Sequence, residues 1–311
     1  MNDYLVSVLA NIGMFSFLAL SAYLLLIAGE ISFGQQAFFA IGAYMSAMAT
    51  ALWHWPFALA LIFGAVAGAA AAGLVGLLTL RTRGLYFAMA TLAFAEMVRL
   101  ALQQWINVRM VGGEPVGPNG VDGFRGIRYV FENNISQGDF LIIIAALLTL
   151  VLAAFALAER GRVGSMLRLV GADPLLAEAM GVDVKNVKVA AAAAAGAIAA
   201  IGGCLFAHLN TYIEPRNFDI MLGVHSLAYG LIGGLGTALG PILGVLIDVG
   251  LLESVRVFKG YRMIAFGGVV AVLLIFMPRG ILDETRVRWL ARLCRKRAPA
   301  RRADAKADAN A

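Results

Sequence analysis

The sequence predicts an all-α polytopic membrane protein, a bundle of about eight to ten transmembrane helices with inverted repeats and interrupted helices. Three observations predict it. The 311 residues are 61% hydrophobic and only 14% charged, against about 25% charged in soluble domains. Mean hydropathy is +0.82. Apolar runs of spanning length recur along the chain, and Lys and Arg gather in a few of the connections. A soluble core cannot hide this much apolar surface. Helices follow because a backbone in lipid must satisfy its own hydrogen bonds, and the alternating segments of a barrel are absent.

Long apolar runs cover about 5–29, 33–53, 56–80, 84–106, 140–158 and 188–209, each near the ~20 residues a span requires. Two shorter runs follow near 222–238 and 241–257, and a last one covers 262–278. Met1-Asn2-Asp3 is not a basic leader, and the run behind it is too long for a secretory signal. Residues 1–278 read as one transmembrane domain with polar loops at 107–139 and 159–188. Residues 279–311 read as a basic tail, expected to be disordered.

The net charge of +6 sits in that tail, which holds 10 Lys/Arg against 4 Asp/Glu. A basic tail beside a last span marks the cytoplasmic side and the lipid surface rather than nucleic acid. Arg81 and Arg83 form a second basic group; Arg160, Arg162, Arg168, Lys185 and Lys188 form a third. With nine spans all three groups share the side that the positive-inside rule makes cytoplasmic. The N-terminus and loop 107–139 are then outside, and Trp53, Trp55 and Trp105 reach the outer interface. Arg256, Lys259 and Arg262 fall outside, against the rule.

No enzyme or metal-site pattern is present, and no phosphate-binding loop. The chain is expected to be a non-enzyme without a metal or cofactor of its own. Cys204 and Cys294 lie far apart and imply no disulfide framework. His54, His208 and His225 read as interfacial histidines. "GGLGTALG" (233–240) lacks the spacing of a nucleotide loop and reads as a helix break, with Pro241 opening the next helix. Gly64, Gly68, Ala72 and Gly76 form a ladder of small residues at four-residue spacing, as do Gly236, Gly240 and Gly244; such ladders let helices approach closely in lipid. A faint repeat aligns Ser32 and Gly42 with Ser226 and Gly236, and the two stretches start on opposite sides, as inverted repeats do. Glu96 and Arg99 lie inside a span at i,i+3, where they either pair structurally or serve transport.

"GADPLLAEAMGVDV" (171–184) is different in kind. Asp173 is a good N-cap, Pro174 a good first residue and Gly181 a good stop. Leu175 and Ala179 share one face, Leu176 and Met180 another. A two-turn helix does not hold in water by propensity alone, so it packs either on its own bundle or on a second protein.

Here the sequence resembles a family. "EAMG" (178–181), in a loop between spans, is similar to the E-A-A---G loop of ATP-binding-cassette importer permeases. Met180 stands where that motif has Ala. Four stretches in order resemble LivM-type permeases of branched-chain amino acid importers: "ISFGQQAFFAIGAY" (31–44), "RGLYFAMATLAFAEMVR" (83–99), "GADPLLAEAMGVDV" and "GLIGGLGTALGPILG" (230–244). "FMPRGIL" (276–282) closes the last span in the same manner, and "GGEPVGPNGVDGFRGI" (112–127) resembles the external loop less closely.

The resemblance implies a permease subunit in a bacterial inner membrane, with its C-terminus cytoplasmic. Its partners would be a LivH-like second permease, two cytoplasmic ATPases carrying ATP and Mg, and a periplasmic solute-binding protein. Helix 174–180 would be the ATPase-coupling helix. Leu175, Leu176, Ala179 and Met180 would give apolar contact, Asp173 and Glu178 polar contact at the edge, and Pro174 and Gly181 its ends. Candidates for the translocation pathway are Ser32, Phe33, Gln35, Gln36, Tyr86, Thr91, Glu96, Arg99, Ser226 and Tyr229. Phe33, Phe38 and Phe39 either form an apolar wall for aliphatic cargo or face core or lipid. Related permeases handle urea, amides and aromatic acids, and the rival class is an ion-driven secondary transporter with Glu96 as its ion site.

Overall fold

Each apolar run carries a helix. The computed structural model describes residues 3–79, 84–111, 114–252, 262–277 and 280–282. Arg81, Arg83, Arg256, Lys259, Cys294 and the tail 279–311, apart from 280–282, lie outside the described residues. The long helices are α1 (Asp3–Ile27), α2 (Gln35–Ala51), α3 (Phe57–Thr79) and α4 (Leu85–Gln104). A small sheet follows, β1 (Arg109–Val111), β2 (Glu114–Pro118) and β3 (Phe124–Arg125), with the short helix α5 (Tyr129–Glu132). Next come α6 (Gln137–Arg160), α7 (Arg162–Ala172), α8 (Pro174–Ala179), α9 (Val184–Asn210) and α10 (Ile220–Gly233). α11 (Leu239–Val245) continues as a π-helical stretch, Leu246–Leu252, and α12 spans Arg262–Phe276. Among the described residues five helices are long and apolar enough to cross a membrane: α1, α3, α4, α6 and α9. The molecule is an all-α, polytopic membrane bundle.

α2 and α9 form its centre. Almost every residue of α2 is buried, and α9 packs against α1, α2 and α3. Small side chains make this possible. A Cβ on Gly68 would overlap Ala200, one on Gly64 would overlap Cys204, and one on Gly76 would lie 3.2 Å from Ala192. The Gly64-Gly68-Ala72-Gly76 ladder is thus the α3 face that meets α9. Of the second ladder, Gly240 and Gly244 press α11 onto the backbone of α10. Gly236 does not join them: it lies in the break after α10, which ends at Gly234 with φ 91°.

The two ends of the bundle differ. At one end β1, β2 and β3 form an antiparallel sheet that the sequence analysis did not foresee. It is fastened to the turn after α9, where Phe124 and Ile213 exchange backbone hydrogen bonds of 2.7 and 3.1 Å. At the other end sit α7 and α8.

Several expectations need correction. The aligned repeat stretches occupy different local structure: Ser32 precedes α2 in extended chain, whereas Ser226 lies within α10. Trp53 and Trp55 are exposed and pack on each other, as an interfacial pair would. Trp105 is half-buried and stacks on Tyr44. His208 is not interfacial. It is fully buried, with Nε2 3.0 Å from Thr50 Oγ1 and Nδ1 2.7 Å from the Cys204 carbonyl, and Phe57 against its ring. His225 also turns inward, 3.7 Å from Asp248.

Candidate functional site

α8 is built as its caps dictate. Asp173 is extended (φ −150°, ψ 99°), and its carboxylate accepts from the backbone N–H groups of Leu175 and Leu176 at 3.0 and 3.1 Å. Pro174 fills the first turn, where no donor is required. Gly181 reverses the chain at φ 82°, a left-handed conformation that glycine adopts without strain. Only Ala177 is buried, against Val170 and Val184. Leu175, Leu176 and Met180 are 66%, 50% and 67% exposed. Asp173, Glu178, Ala179 and Gly181 are exposed as well, and Pro174 is half-buried. The helix is anchored on one side and presents an apolar surface on the other.

Its base is tied into the bundle through α7. The backbone of Gly171 meets that of Ile27, Ala28 and Gly29, so closely that a Cβ on Gly171 would overlap the Ile27 carbonyl. Arg168 donates to the Gly236 carbonyl at 3.3 Å and lies 3.8 Å from Glu159, which accepts from Tyr23 at 2.8 Å. Lys188, at the start of α9, pairs with the buried Glu30. α7 and the start of α9 thereby touch both connections that matter, the one between α1 and α2 and the one between α10 and α11. Glu30, Glu159 and their partners were not among the sequence candidates. Lys188 and Glu30 stand 158 residues apart, and no local pattern signals such a pair.

The second cluster lies deeper. After α1 the chain turns at Gly29 and, through a short irregular stretch, starts α2 level with Ser21, about 9 Å inside the end of α1 at 1.5 Å per residue. Phe33 N–H donates to Thr91 Oγ1 at 3.1 Å, and Gly34 N–H to Ser32 Oγ at 3.1 Å. Ser21 Oγ donates to the Gln35 side-chain oxygen, Oε1. Gln36 abuts Gly223 of α10, where a Cβ would overlap its amide. Ser32, Gln35, Gln36 and Thr91 are thus brought together and buried. Gln35 Nε2 and Gln36 Oε1 have no partner, an arrangement that costs about 1–3 kcal/mol per group.

The other candidates go elsewhere. Ser226 is buried and donates back to the Gly223 carbonyl within its own helix at 2.6 Å. Tyr229 turns away to donate to Asp248 at 2.6 Å, beside His225 and Phe266. Tyr86 is exposed at the start of α4, and Phe33 is half-buried. Phe38 and Phe39 belong to the core, against Phe94, Phe206 and Phe218, rather than to a wall or to lipid. Glu96 and Arg99 pair on α4, with Arg99 Nε donating to Glu96 Oε2 at 2.9 Å. A cavity of about 510 Å³ among α1, α6, α7 and α9 is lined almost wholly by apolar side chains and does not reach the polar cluster.

Residues 4–278 match the family described as "Branched-chain amino acid transport system / permease component". The chain belongs to that permease family. It is 28% identical over 287 residues to the "High-affinity branched-chain amino acid transport system permease protein LivM" of Escherichia coli K12, covering 84% of this chain and 65% of that one. The corresponding LivM of Salmonella typhimurium gives the same figures. A "Probable branched-chain amino acid transport permease protein LivH" of Methanocaldococcus jannaschii is 27% identical over 177 residues, 54% of this chain and 50% of its own. The chain thus spans 65% of the length of the two LivM relatives. No solved structure matches.

Proposed function

We propose that the chain is the membrane-spanning subunit of an ATP-binding-cassette importer for branched-chain or related amino acids in a bacterial inner membrane. A LivH-like permease pairs with it, and a periplasmic binding protein delivers the cargo. Two cytoplasmic ATPases, which carry ATP and Mg, receive α8, and the side bearing α7, α8 and the C-terminal tail is cytoplasmic. The observation that carries this reading is α8 itself. Three large apolar side chains stand exposed on a helix that is shaped by its own caps and anchored by one alanine. An exposed apolar surface of this kind, on a short helix outside the long spans, fits a docking partner.

α7 supplies the mechanism. A push on α8 reaches the α1–α2 connection through Gly171 and the α10–α11 connection through Arg168. Two packings of the bundle, one favoured by closed ATPases, then open the pathway to one side or the other. The buried amides of Gln35 and Gln36, with Ser32 and Thr91, supply polar groups to a cargo that enters when the bundle opens. The fork between Arg99 and Glu96 argues against an ion-driven carrier, because the carboxylate already has its cation.

The test is uptake of labelled leucine, urea and benzoate by cells carrying the complete transporter. Leucine uptake that persists with an uncoupler while ATP is maintained supports the proposal. Uptake that collapses with the ion gradient overturns the ATP-driven reading, and preference for urea or benzoate overturns the cargo.

A further inference from the structure

We infer that the exposed face of α4 is the surface on which this chain meets a second, homologous permease. Glu96 lies about 17 Å from Leu85 and about 12 Å from Gln104 along the helix, at 1.5 Å per residue. It is therefore well inside the hydrocarbon depth, about 30 Å in total. Yet the Glu96 and Arg99 side chains are 32% and 21% exposed. Charged side chains at this depth face a bundle interior or water rather than lipid.

Snorkelling does not remove the difficulty. Side chains on a helix lean toward its N-terminus, and Arg99 follows that lean to fork onto Glu96, away from the nearer end of α4. The fork takes two of the five guanidinium donors. Asp219, at the start of α10, lies near enough to act on Arg99, and acyl chains offer the remaining donors no acceptor. Beside the pair, Met89, Ala93, Met97 and Leu100 are exposed in a stripe at three- to four-residue spacing, a shape suited to helix packing.

Two other outward helices, α6 and α3, lack these features among the described residues. α6 exposes Ile142, Leu150 and Leu157 and has no ionisable residue between Asp139 and Glu159. α3 exposes Leu59, Ile62, Val66 and Leu74 and has none at all. Both suit lipid. The identity of the occupant rests on the importer reading. The chain is similar both to LivM proteins and to a LivH, so a partner of the second type presents a homologous bundle. Homologous bundles meet most simply about a pseudo-twofold axis, with equivalent faces in contact.

The experiment places a benzophenone amino acid at Met89, Met97, Ile142 or Leu150 of the full chain, in membranes holding the whole transporter. Adducts formed on illumination are identified by mass spectrometry. The expected result is a second multi-pass permease chain joined at 89 and 97, and lipid at 142 and 150. Absence of a permease adduct at 89 and 97 overturns the inference, as does a second copy of this chain there. A permease adduct at 142 or 150 instead overturns the surface and leaves the importer reading intact. If no second permease adds at any position or co-purifies with the chain, the importer reading fails as well.

Discussion

Two connections between long helices teach opposite lessons. The one between α4 and α6 is fixed to the bundle at several points among its described residues. Its sheet pairs with Ile213, Tyr212 donates to the Asp122 carbonyl at 2.9 Å, and Phe124 and Ile127 are fully buried. The one between α6 and α9 is fixed at its base and free at its tip. α7 is locked by Gly171 and Arg168, while α8 buries only Ala177. Packing shapes the first connection and caps shape the second. An element that its caps hold in shape keeps its side chains for a partner.

The largest expected effect tests the scaffold. Phe124→Ala removes a fully buried ring at the junction of sheet and bundle and should cost about 3–5 kcal/mol. It should appear as a lower unfolding midpoint of the purified chain, with any surviving folded protein still able to couple to ATP hydrolysis. An unchanged midpoint would show that the sheet does not brace the bundle.

Gly171→Val strikes the base of the second connection. The added side chain meets the backbone of Ile27–Gly29, and overpacking of this kind costs about 1–3 kcal/mol. Transport should fall more than stability does, because the contact lies on the route from α8 to α2. Equal losses in both would reduce Gly171 to a packing residue.

Much of this was legible in the sequence. Apolar runs placed the long helices to within a few residues, because lipid demands continuous hydrophobicity. Asp173, Pro174 and Gly181 placed α8, because cap chemistry is local. The sheet was not legible: its strands are two to five residues long, the longest holds two Pro and a Gly, and β3 also pairs with a turn about 90 residues away. α7 was hidden inside a basic loop, although Val163, Leu167 and Val170 have helical spacing. Among the pathway candidates, Ser32, Gln35, Gln36 and Thr91 come together around the start of α2, whereas Tyr229 lies apart from them, bonded to Asp248. Its partner Asp248 lies in a π-helical stretch, and no sequence pattern announces that geometry.

Asp173→Ala should have a smaller effect, about 1 kcal/mol of helix stability. The expected sign is reduced association with the ATPases at an unchanged unfolding midpoint, measured by co-purification. Full association would mean that α8 is held by its partner rather than by its caps.

The central claim is that α8 docks on the subunits that hydrolyse ATP. Met180→Glu tests it most directly, because Met180 is exposed and touches nothing that the fold requires. In proteoliposomes holding the complete transporter, the claim predicts an unfolding midpoint within about 0.5 kcal/mol of the unaltered chain. It also predicts loss of both substrate-stimulated ATP hydrolysis and leucine uptake. Undiminished coupling with a glutamate at position 180 would contradict it.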